Sequence, residues 1–312
     1  MLLILLVLAA GCVGQPPAPG PQGPAPGSVA AMLGDPRTVD PCTLTDPAAL
    51  KATPAATVSL DYCLLHVQLD DGSLAQLAVG ELVPAAPGPA DAATEDEDPV
   101  VPRGSLRLVQ EAPLPGHCTR RIRFDDGTAM QVSADLLTGD PAAGLCAVAE
   151  AGADTAIAAM EQHRVGHRQY PPNSLALTDP CAVLDSAVVH QIPGLEQAQP
   201  QSAPAGHQCQ WGEQDAQAPR VSFTHTAGKP PAVLHGAAVE EEIAGRRTVV
   251  SVVGGDPSVP LCSAETGHIP FGGPGEVEVA MLVVAFPGAT GIEACEFARG
   301  LAREAWPRLP AH

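Results

Sequence analysis

The chain has 312 residues, 45% of them apolar, which is a length typical of two domains. Its formal net charge of −19 predicts an acidic surface that repels nucleic-acid phosphates and anionic lipid headgroups, so the composition argues against both as partners. Aromatic residues make up only 3%, so the cores must be filled by Ala, Val and Leu, which bury less area per residue than rings do.

The first residues resemble a lipoprotein export signal. Residues 2–10 are an unbroken apolar run, shorter than the about 20 residues that span a bilayer but long enough for a signal-peptide core. Ala9, Ala10 and Gly11 then precede Cys12, an order similar to the bacterial lipobox, although Ala9 stands where leucine is usual. We therefore expect a signal peptide at 1–11 and lipidation of Cys12. The alternative is an ordinary secretory signal followed by an unrelated cysteine.

Proline and glycine dominate the stretch that follows, residues 12–35. The segment VGQPPAPGPQGPAPGS at 13–28 favours extended polyproline II over packing and would reach roughly 50 Å. Acyl chains on the cysteine would hold the protein at the extracytoplasmic face of the cell membrane, and this tether would lift a folded head away from it.

Eight further cysteines divide into two sets of four. The gaps are 21, 55 and 28 residues in the first set and 28, 53 and 33 in the second. Each set opens with Asp-Pro-Cys, which is typical of a helix start, because the carboxylate caps the helix and proline needs no N–H at the first position. The repetition predicts a tandem duplication, with a first module at 36–160, a linker at 161–173 and a second module at 174–312. The sets are Cys42, Cys63, Cys118 and Cys146, and Cys181, Cys209, Cys262 and Cys295.

Two segments of the first module share one frame, CLLHVQLDDGSLAQL at 63–77 and CTRRIRFDDGTAMQV at 118–132. Asp-Gly between alternating apolar residues predicts a hairpin in each, because glycine tolerates the positive φ of the turn. A calcium loop is the alternative, but two acids lack the alternating ligands of such loops. The second half predicts a hairpin from Cys209, and further strands are expected at 106–110, 248–253 and 277–286.

A helix is predicted at the end of each half. Thr290-Gly291-Ile292-Glu293 is typical of a capping box. The residues expected on the inner face of the last helix are Ile292, Cys295, Ala298, Ala302 and Ala305, and those of the matching helix after Cys146 are Ala149, Ala153, Ala156 and Met160. Each half is therefore expected to be an α+β domain, an antiparallel sheet of hairpins flanked by an N-terminal and a C-terminal helix.

Two stretches fit neither half. Residues 86–104 form an acidic, proline-rich insertion that we expect to be a solvated loop. Residues 161–178 contain the connection between the modules, where His163 and His167 lie four apart. A metal-binding or pH-sensitive patch is one reading of these histidines. The prolines at 171 and 172 favour a solvated linker instead.

The cysteines are expected to form disulfides, because even-numbered sets in an exported protein favour them. A thiolate metal site is the alternative, but no Cys-x-x-Cys is present, so we expect no metal. If each module closes on itself, three pairings remain per module. Loop entropy alone favours the pairings that close the longest loops. Adjacency in sequence instead favours pairing the first cysteine with the second and the third with the fourth, so that each flanking helix is linked to the hairpin next to it. By adjacency we expect Cys42–Cys63, Cys118–Cys146, Cys181–Cys209 and Cys262–Cys295.

The motifs of the second half resemble a known family. They are Asp179-Pro180-Cys181, Cys209-Gln210-Trp211, Cys262 before a strand pair, Cys295 in a closing helix, and the ending at 306–310, WPRLP. Together they resemble the actinobacterial lipoproteins known as domain of unknown function 3558, well over 174–311 and more loosely over 36–160. The first half is similar but lacks the Trp beside its Cys63. The resemblance implies an exported, lipid-anchored, cysteine-bridged module and supplies no catalytic residue.

No catalytic or cofactor motif is found, so we expect a lipoprotein that is not an enzyme, carries no cofactor, and binds or senses an envelope protein or a small ligand. One alternative is a secreted hydrolase whose site is assembled from scattered residues such as Ser222, His225 and Asp256. Another is a structural scaffold of the envelope. Trp211 and Trp306 are expected to pack in the core or at a helix end, with a role as ligand platforms as the alternative.

Overall fold

The computed structural model describes residues 24–85, 98–140, 144–213, 215, 217–233, 238–253, 258–288 and 290–312, with the backbone alone at 54–58. The predicted signal peptide, Cys12 and residues 13–23 of the tether lie outside the described residues, as does Asp256. Within the described part of the chain, no helix combines the length and the hydropathy needed to cross a membrane.

The first module consists of short N-terminal helical turns, seven strands and one long helix. The helical elements are α1 (Val29–Leu33), two 3-10 helices (Pro36–Thr38 and Pro41–Leu44) and α2 (Leu145–Glu161). The strands are β1 (Ala52–Val58), β2 (Cys63–Gln68), β3 (Leu74–Pro84), β4 (Val100–Arg103), β5 (Leu106–Gln110), β6 (His117–Arg123) and β7 (Thr128–Thr138).

The second module repeats this plan. Its helical elements are a 3-10 helix (Leu175–Leu177), α3 (Pro180–Val183), α4 (Ser186–Val189), α5 (Gly291–Ala305) and a final 3-10 helix (Trp306–Arg308). The strands are β8 (Gln201–Ser202), β9 (Gln208–Gly212), β10 (Arg220–Gly228), β11 (Val239–Ile243), β12 (Arg246–Val253), β13 (Leu261–Pro270) and β14 (Val277–Ala285).

The two sheets have the same topology. The first is ordered β1-β2-β3-β7-β6-β5-β4, and the second, taken from its opposite edge, is β8-β9-β10-β14-β13-β12-β11, with all neighbours antiparallel. The cysteines stand at matching places in this order: Cys63 in β2 corresponds to Cys209 in β9, and Cys118 in β6 to Cys262 in β13. The predicted α+β class and the two-module architecture are confirmed.

Both Asp-Asp-Gly segments form the predicted hairpins. The amide of Leu69 donates to the carbonyl of Ser73 at 2.9 Å, and that of Phe124 donates to Thr128 at the same distance. Glycine is required in these turns, since Gly72 has a φ of 88° and Gly127 a φ of 79°. Strand β2 is followed by β3 and β6 by β7, so each hairpin joins neighbours in the sheet.

One long helix covers a face of each sheet. Helix α2 contacts β3, β6 and β7, and α5 contacts β12, β13 and β14, of which β13 and β14 are the equivalents of β6 and β7. The predicted capping box of Thr290 and Glu293 is present at the start of α5. The predicted inner faces are buried, except that Ile292 is 75% exposed, which makes that assignment wrong. The reason is that α5 buries side chains only from Ala294 onward, so its first turn extends past the core.

The first module begins earlier than predicted. Val29 and Leu33 of α1 are buried in its core, ahead of the expected boundary at residue 36. The second Asp-Asp-Gly turn holds this helix, because the carboxylate of Asp126 accepts a 2.7 Å hydrogen bond from the amide of Val29. Residues 29–35, assigned to the tether from their sequence, are therefore part of the folded head.

The end of the predicted solvated insertion is a strand instead. Residues 100–103 form β4, which pairs with β5 at the edge of the first sheet. An ion pair between Arg103 and Glu150 of α2 ties this edge to the helix layer. The equivalent edge strand β11 contains three consecutive glutamates, which suit an exposed edge and hide the strand from pattern analysis.

Candidate functional site

The structure contains four disulfides, and each lies within one module. They are Cys42–Cys63, Cys118–Cys146, Cys181–Cys209 and Cys262–Cys295. These are the four pairs expected from adjacency. In each module one bridge joins the N-terminal helical turn to the second strand, and the other joins the long helix to the sixth strand.

Both tryptophans are structural. Trp211 and Trp306 are at most 1% exposed, and their indole N–H groups donate to Ser186 Oγ at 3.0 Å and Thr248 Oγ1 at 2.9 Å. A fully buried ring whose polar atom is satisfied internally offers no stacking face to a ligand. The expected packing role is confirmed.

The scattered residues considered for a hydrolase do not form a catalytic pair. Ser222 and His225 lie three residues apart on β10, so their side chains extend from opposite faces of the sheet. Ser222 Oγ accepts a 2.9 Å hydrogen bond from Gln208 Nε2. The third candidate, Asp256, lies outside the described residues.

His225 has a structural role on its own face. Its ring is fully buried, and Nδ1 lies 3.1 Å from the carbonyl of Leu175 and 3.2 Å from that of Thr178. Burial lowers the pKa of His225 from 6.5 to about 4, so the ring is neutral at neutral pH and Nδ1 carries its proton. This donor fastens the 3-10 helix at 175–177 to the sheet.

We expect His225 alone to lower the free energy of unfolding of the second module by about 2 kcal/mol between pH 8 and pH 5. In the unfolded chain the ring takes up a proton as the pH falls through 6.5, whereas in the folded protein it stays neutral until about pH 4. The stabilisation is therefore complete above the unfolded pKa and is lost as the pH falls toward the folded one. Urea titrations followed by tryptophan fluorescence at a series of pH values would measure it.

The matched variant is His225→Asn, whose amide can donate near the position of Nδ1 but does not titrate. Between pH 8 and pH 5, the free energy of unfolding of this variant should fall by about 2 kcal/mol less than that of the parent protein. Parallel pH profiles for the two proteins would contradict the assignment.

The connection between the modules is bound to the first module. The amide of Asp40 donates to the carbonyl of Gly166 at 2.8 Å, and that of Arg168 donates to Thr38 at 2.7 Å. His167 Nδ1 lies 2.8 Å from Thr38 Oγ1, while His163 has a φ of 51° beyond the end of α2. The expected solvated linker is therefore wrong over 166–168, and the two histidines do not share a helix face.

Arg168 joins the two modules. Its guanidinium donates to the carboxylate of Asp40 at 2.8 Å and lies 5.0 Å from the centre of the Phe271 ring in the second module. Tyr170 stacks on the same ring, with centroids 6.3 Å apart. Burial is the main reason that the pKa of Tyr170 is raised.

An acid–histidine pair lies at the centre of the interface. His207 Nδ1 is 2.6 Å from Asp61 Oδ1, and His207 Nε2 is 3.2 Å from the carbonyl oxygen of Ala176. The histidine side chain is 1% exposed and the aspartate 17% exposed. Both ring nitrogens face oxygen acceptors, so the imidazole donates to at least one of them, and Asp61 and His207 form a hydrogen-bonded acid–histidine pair.

Apolar and hydroxyl contacts accompany this acid–histidine pair. Leu60 packs with Ala176 and Ala227 in a small buried cluster. Ser59 Oγ lies 3.2 Å from Thr226 Oγ1. Leu60 and the hydroxyl of Ser59 thus also connect the first module to the second.

Two half-buried ionisable side chains of the first module, Glu81 and Tyr62, lie beside the interface. The pKa of Glu81 is raised by burial and, to a lesser degree, by the nearby Asp61 carboxylate. The pKa of Tyr62 is also raised, again chiefly by burial. We interpret both groups as parts of the packed surface.

A small cavity lies at the same junction. Its lining includes Leu33, Leu60, Asp61, Gly80, Leu82 and Ala205. The space open to the centre of a water molecule is about 10 Å³, which is room for about one water. Drug-sized ligands need sites of at least about 300 Å³, so this cavity does not serve as one.

Among the described residues, no group of three or more His, Cys, Asp or Glu side chains is arranged to hold a metal ion.

Comparisons with known proteins do not assign the chain to a family. No family model matches it, and no curated protein matches it. Among solved structures it was compared with the crystal structure of the di-domain ARO/CYC BexL from the BE-7585A biosynthetic pathway, at 10% identity over 90% of this chain and 91% of that chain. The TM-score is 0.14, so this likeness carries no argument about fold or activity.

Proposed function

We propose that this chain is a lipid-anchored lipoprotein of the extracytoplasmic face, and that its paired modules have a binding or sensing role without catalysis. The observation that carries the proposal is the set of four disulfides, because such bonds form and persist in oxidising compartments outside the cytosol. The family of domain of unknown function 3558, which the second half resembles, has the same combination of export, anchor and cysteine bridges.

The anchor is proposed at Cys12. The small residues before it and the apolar run at 2–10 resemble a lipobox and its signal core. The head begins at α1, so about 16 residues of the proline-rich tether would separate it from the lipid.

A binding role without catalysis is supported by the structural roles of the histidine and tryptophan side chains described above. His225, both tryptophans and the Asp61–His207 pair all make hydrogen bonds that hold the modules in shape. The interface cavity has room for about one water, so we favour surface contact with an envelope protein over a small ligand at that point.

Changing Cys12→Ala is expected to abolish lipidation and release the protein from the membrane fraction. Lipobox processing requires the thiol, and stable anchoring depends on the acyl chains at about 0.8 kcal/mol per buried methylene. Cells expressing the full chain would be labelled with an alkyne palmitate analogue, fractionated, and probed for label and for protein.

Reduction of the same sample supplies a second readout. The intact mass should rise by about eight hydrogens when the four disulfides are reduced, in both the parent protein and the Cys12→Ala variant. A variant that keeps its label and its membrane association would refute the anchor. Free thiols on the exported protein would count against the oxidising compartment.

The binding role calls for crosslinking of the anchored protein on living cells, followed by mass spectrometry. The expected product is a recurrent envelope protein attached to the head. Turnover of a substrate by the purified head, abolished by a point variant that leaves it folded, would replace this role with an enzymatic one.

A further inference from the structure

Asp61 and His207 occupy the same position in the two modules. Each stands two residues before the second cysteine of its module, Cys63 or Cys209, and these cysteines belong to the equivalent strands β2 and β9. Contact between two copies of one position is what a two-fold axis produces at an isologous interface. The acid–histidine pair at the centre of the interface therefore marks an approximate two-fold axis between the modules.

A second pair of contacts obeys the same symmetry. Leu60 of the first module packs against Ala176 of the second. Its counterpart Gly206 lies against Arg37, which is the counterpart of Ala176, and a Cβ built on Gly206 would be 2.6 Å from Arg37 Nε. The 3-10 helices that hold Arg37 and Ala176 also touch each other.

A third pair involves the equivalent strands β3 and β10. Ser59 meets Thr226 of β10 at 3.2 Å. Its counterpart Ala205 is buried with the core of the first module and lines the cavity beside Leu82 of β3. The surroundings of three consecutive positions, 59–61 and 205–207, thus recur when the modules are exchanged, which a chance packing of two domains does not produce.

We infer that this interface is a two-fold docking surface, and that the acid–histidine pair at its axis specifies that the first module binds the second rather than a further copy of itself. A pair of first modules docked in this way would oppose two buried Asp61 carboxylates. A pair of second modules would oppose two His207 rings without an anion. The mixed pair alone places a donor against a carboxylate, which is specificity by repulsion of the wrong partners.

The two-fold symmetry predicts what happens when Asp61 and His207 are exchanged. In the full-length chain, Asp61→His opposes two histidines and His207→Asp opposes two carboxylates, so each single variant should loosen the interface. The double variant Asp61→His, His207→Asp rebuilds the pair in the opposite direction. If the two positions are related by symmetry, the exchanged residues form the same acid–histidine contact. If they are not, the exchange does not restore that contact.

Trypsin cleavage after Arg168 reports on docking, because this side chain is held between Asp40 and Phe271 while the modules are together. Each single variant is expected to be cleaved at least about tenfold faster than the wild type, which corresponds to about 1.4 kcal/mol of docking free energy. The exchanged double variant should return to within about threefold of the wild type. Mass spectrometry would verify that the released halves resist further digestion and are therefore folded.

The matched control is an acid–histidine pair within the first module. His117 Nδ1 and Asp135 Oδ1 are also 2.6 Å apart, so His117→Asp and Asp135→His alter a similar pair away from the interface. These variants should change the cleavage rate after Arg168 by less than about twofold. If a charge-bearing variant fails to fold, Asp61→Asn keeps the size and an acceptor oxygen, and should still accelerate cleavage by about threefold.

Single variants as resistant as the wild type, Asp61→Asn included, would overturn the inference. So would an exchanged double variant as labile as the singles, because the two positions would then not be equivalent. The inference concerns the folded head alone, and neither result bears on lipidation at Cys12.

Discussion

Removal of the Cys262–Cys295 disulfide by paired alanine substitutions is expected to lower the free energy of unfolding of the second module by about 4 kcal/mol. The bond closes a loop across 33 residues, so its loss frees a large set of unfolded conformations. It also fastens α5, whose buried face consists mostly of alanines, to β13. The buried residues of this helix are Ala294, Cys295, Ala298, Leu301, Ala302 and Ala305, and alanines bury little apolar area.

Tryptophan fluorescence measures this effect selectively, because both tryptophans of the chain, Trp211 and Trp306, lie in the second module. Urea unfolding of the variant and of the parent protein, both without reductant, would give the decrease in the free energy of unfolding. Ile292→Ala on the same helix is the control, since this side chain is 75% exposed and its truncation should cost less than about 0.5 kcal/mol. A loss of under about 1 kcal/mol for the cysteine variant would mean that packing alone holds α5.

Trp306→Ala is expected to destabilise the second module by about 4 kcal/mol. The ring is 1% exposed, lies 6.0 Å from Phe223 between centroids, and packs where α5 ends against the sheet. A close-packed core relaxes only partly, so much of the space that the ring leaves stays empty. Its N–H also donates to Thr248 Oγ1, which loses that partner inside the core.

Trp306→Phe separates the two contributions. It keeps most of the ring and removes the hydrogen bond, so it should cost about 1 to 2 kcal/mol plus the smaller ring volume. Trp211 remains as the fluorescent probe in both variants. If Trp306→Ala left the free energy of unfolding nearly unchanged, the ring would not be part of the cooperative core.

Periodic and local signals identified much of the fold in advance. The Asp-Asp-Gly turns, the Asp-Pro-Cys caps and the Thr290–Glu293 capping box involve residues a few positions apart, so their geometry depends on the neighbouring sequence. The inner face of α2 followed for the same reason, since helical spacing places Ala149, Ala153 and Ala156 together. Edge strand β11 was missed because its glutamates give no apolar alternation.

Other features depended on contacts between distant parts of the chain. Ile292 has the spacing of an inward residue, and only the position where α5 meets the sheet shows that it faces solvent. Residues 29–35 have the composition of a tether, yet Asp126, about a hundred residues later, binds the first amide of α1. The linker at 166–168 is fixed by the backbone of 38–40.

By itself, the sequence determined the duplication, the two-module α+β plan and the adjacency that brings each helix to its strand through a disulfide. These are set by short-range chain connectivity and by apolar periodicity. Only the tertiary structure decided that Asp61 opposes His207 and that Arg168 spans the junction. Such relations depend on how two folded surfaces meet, and no spacing along one chain encodes that directly.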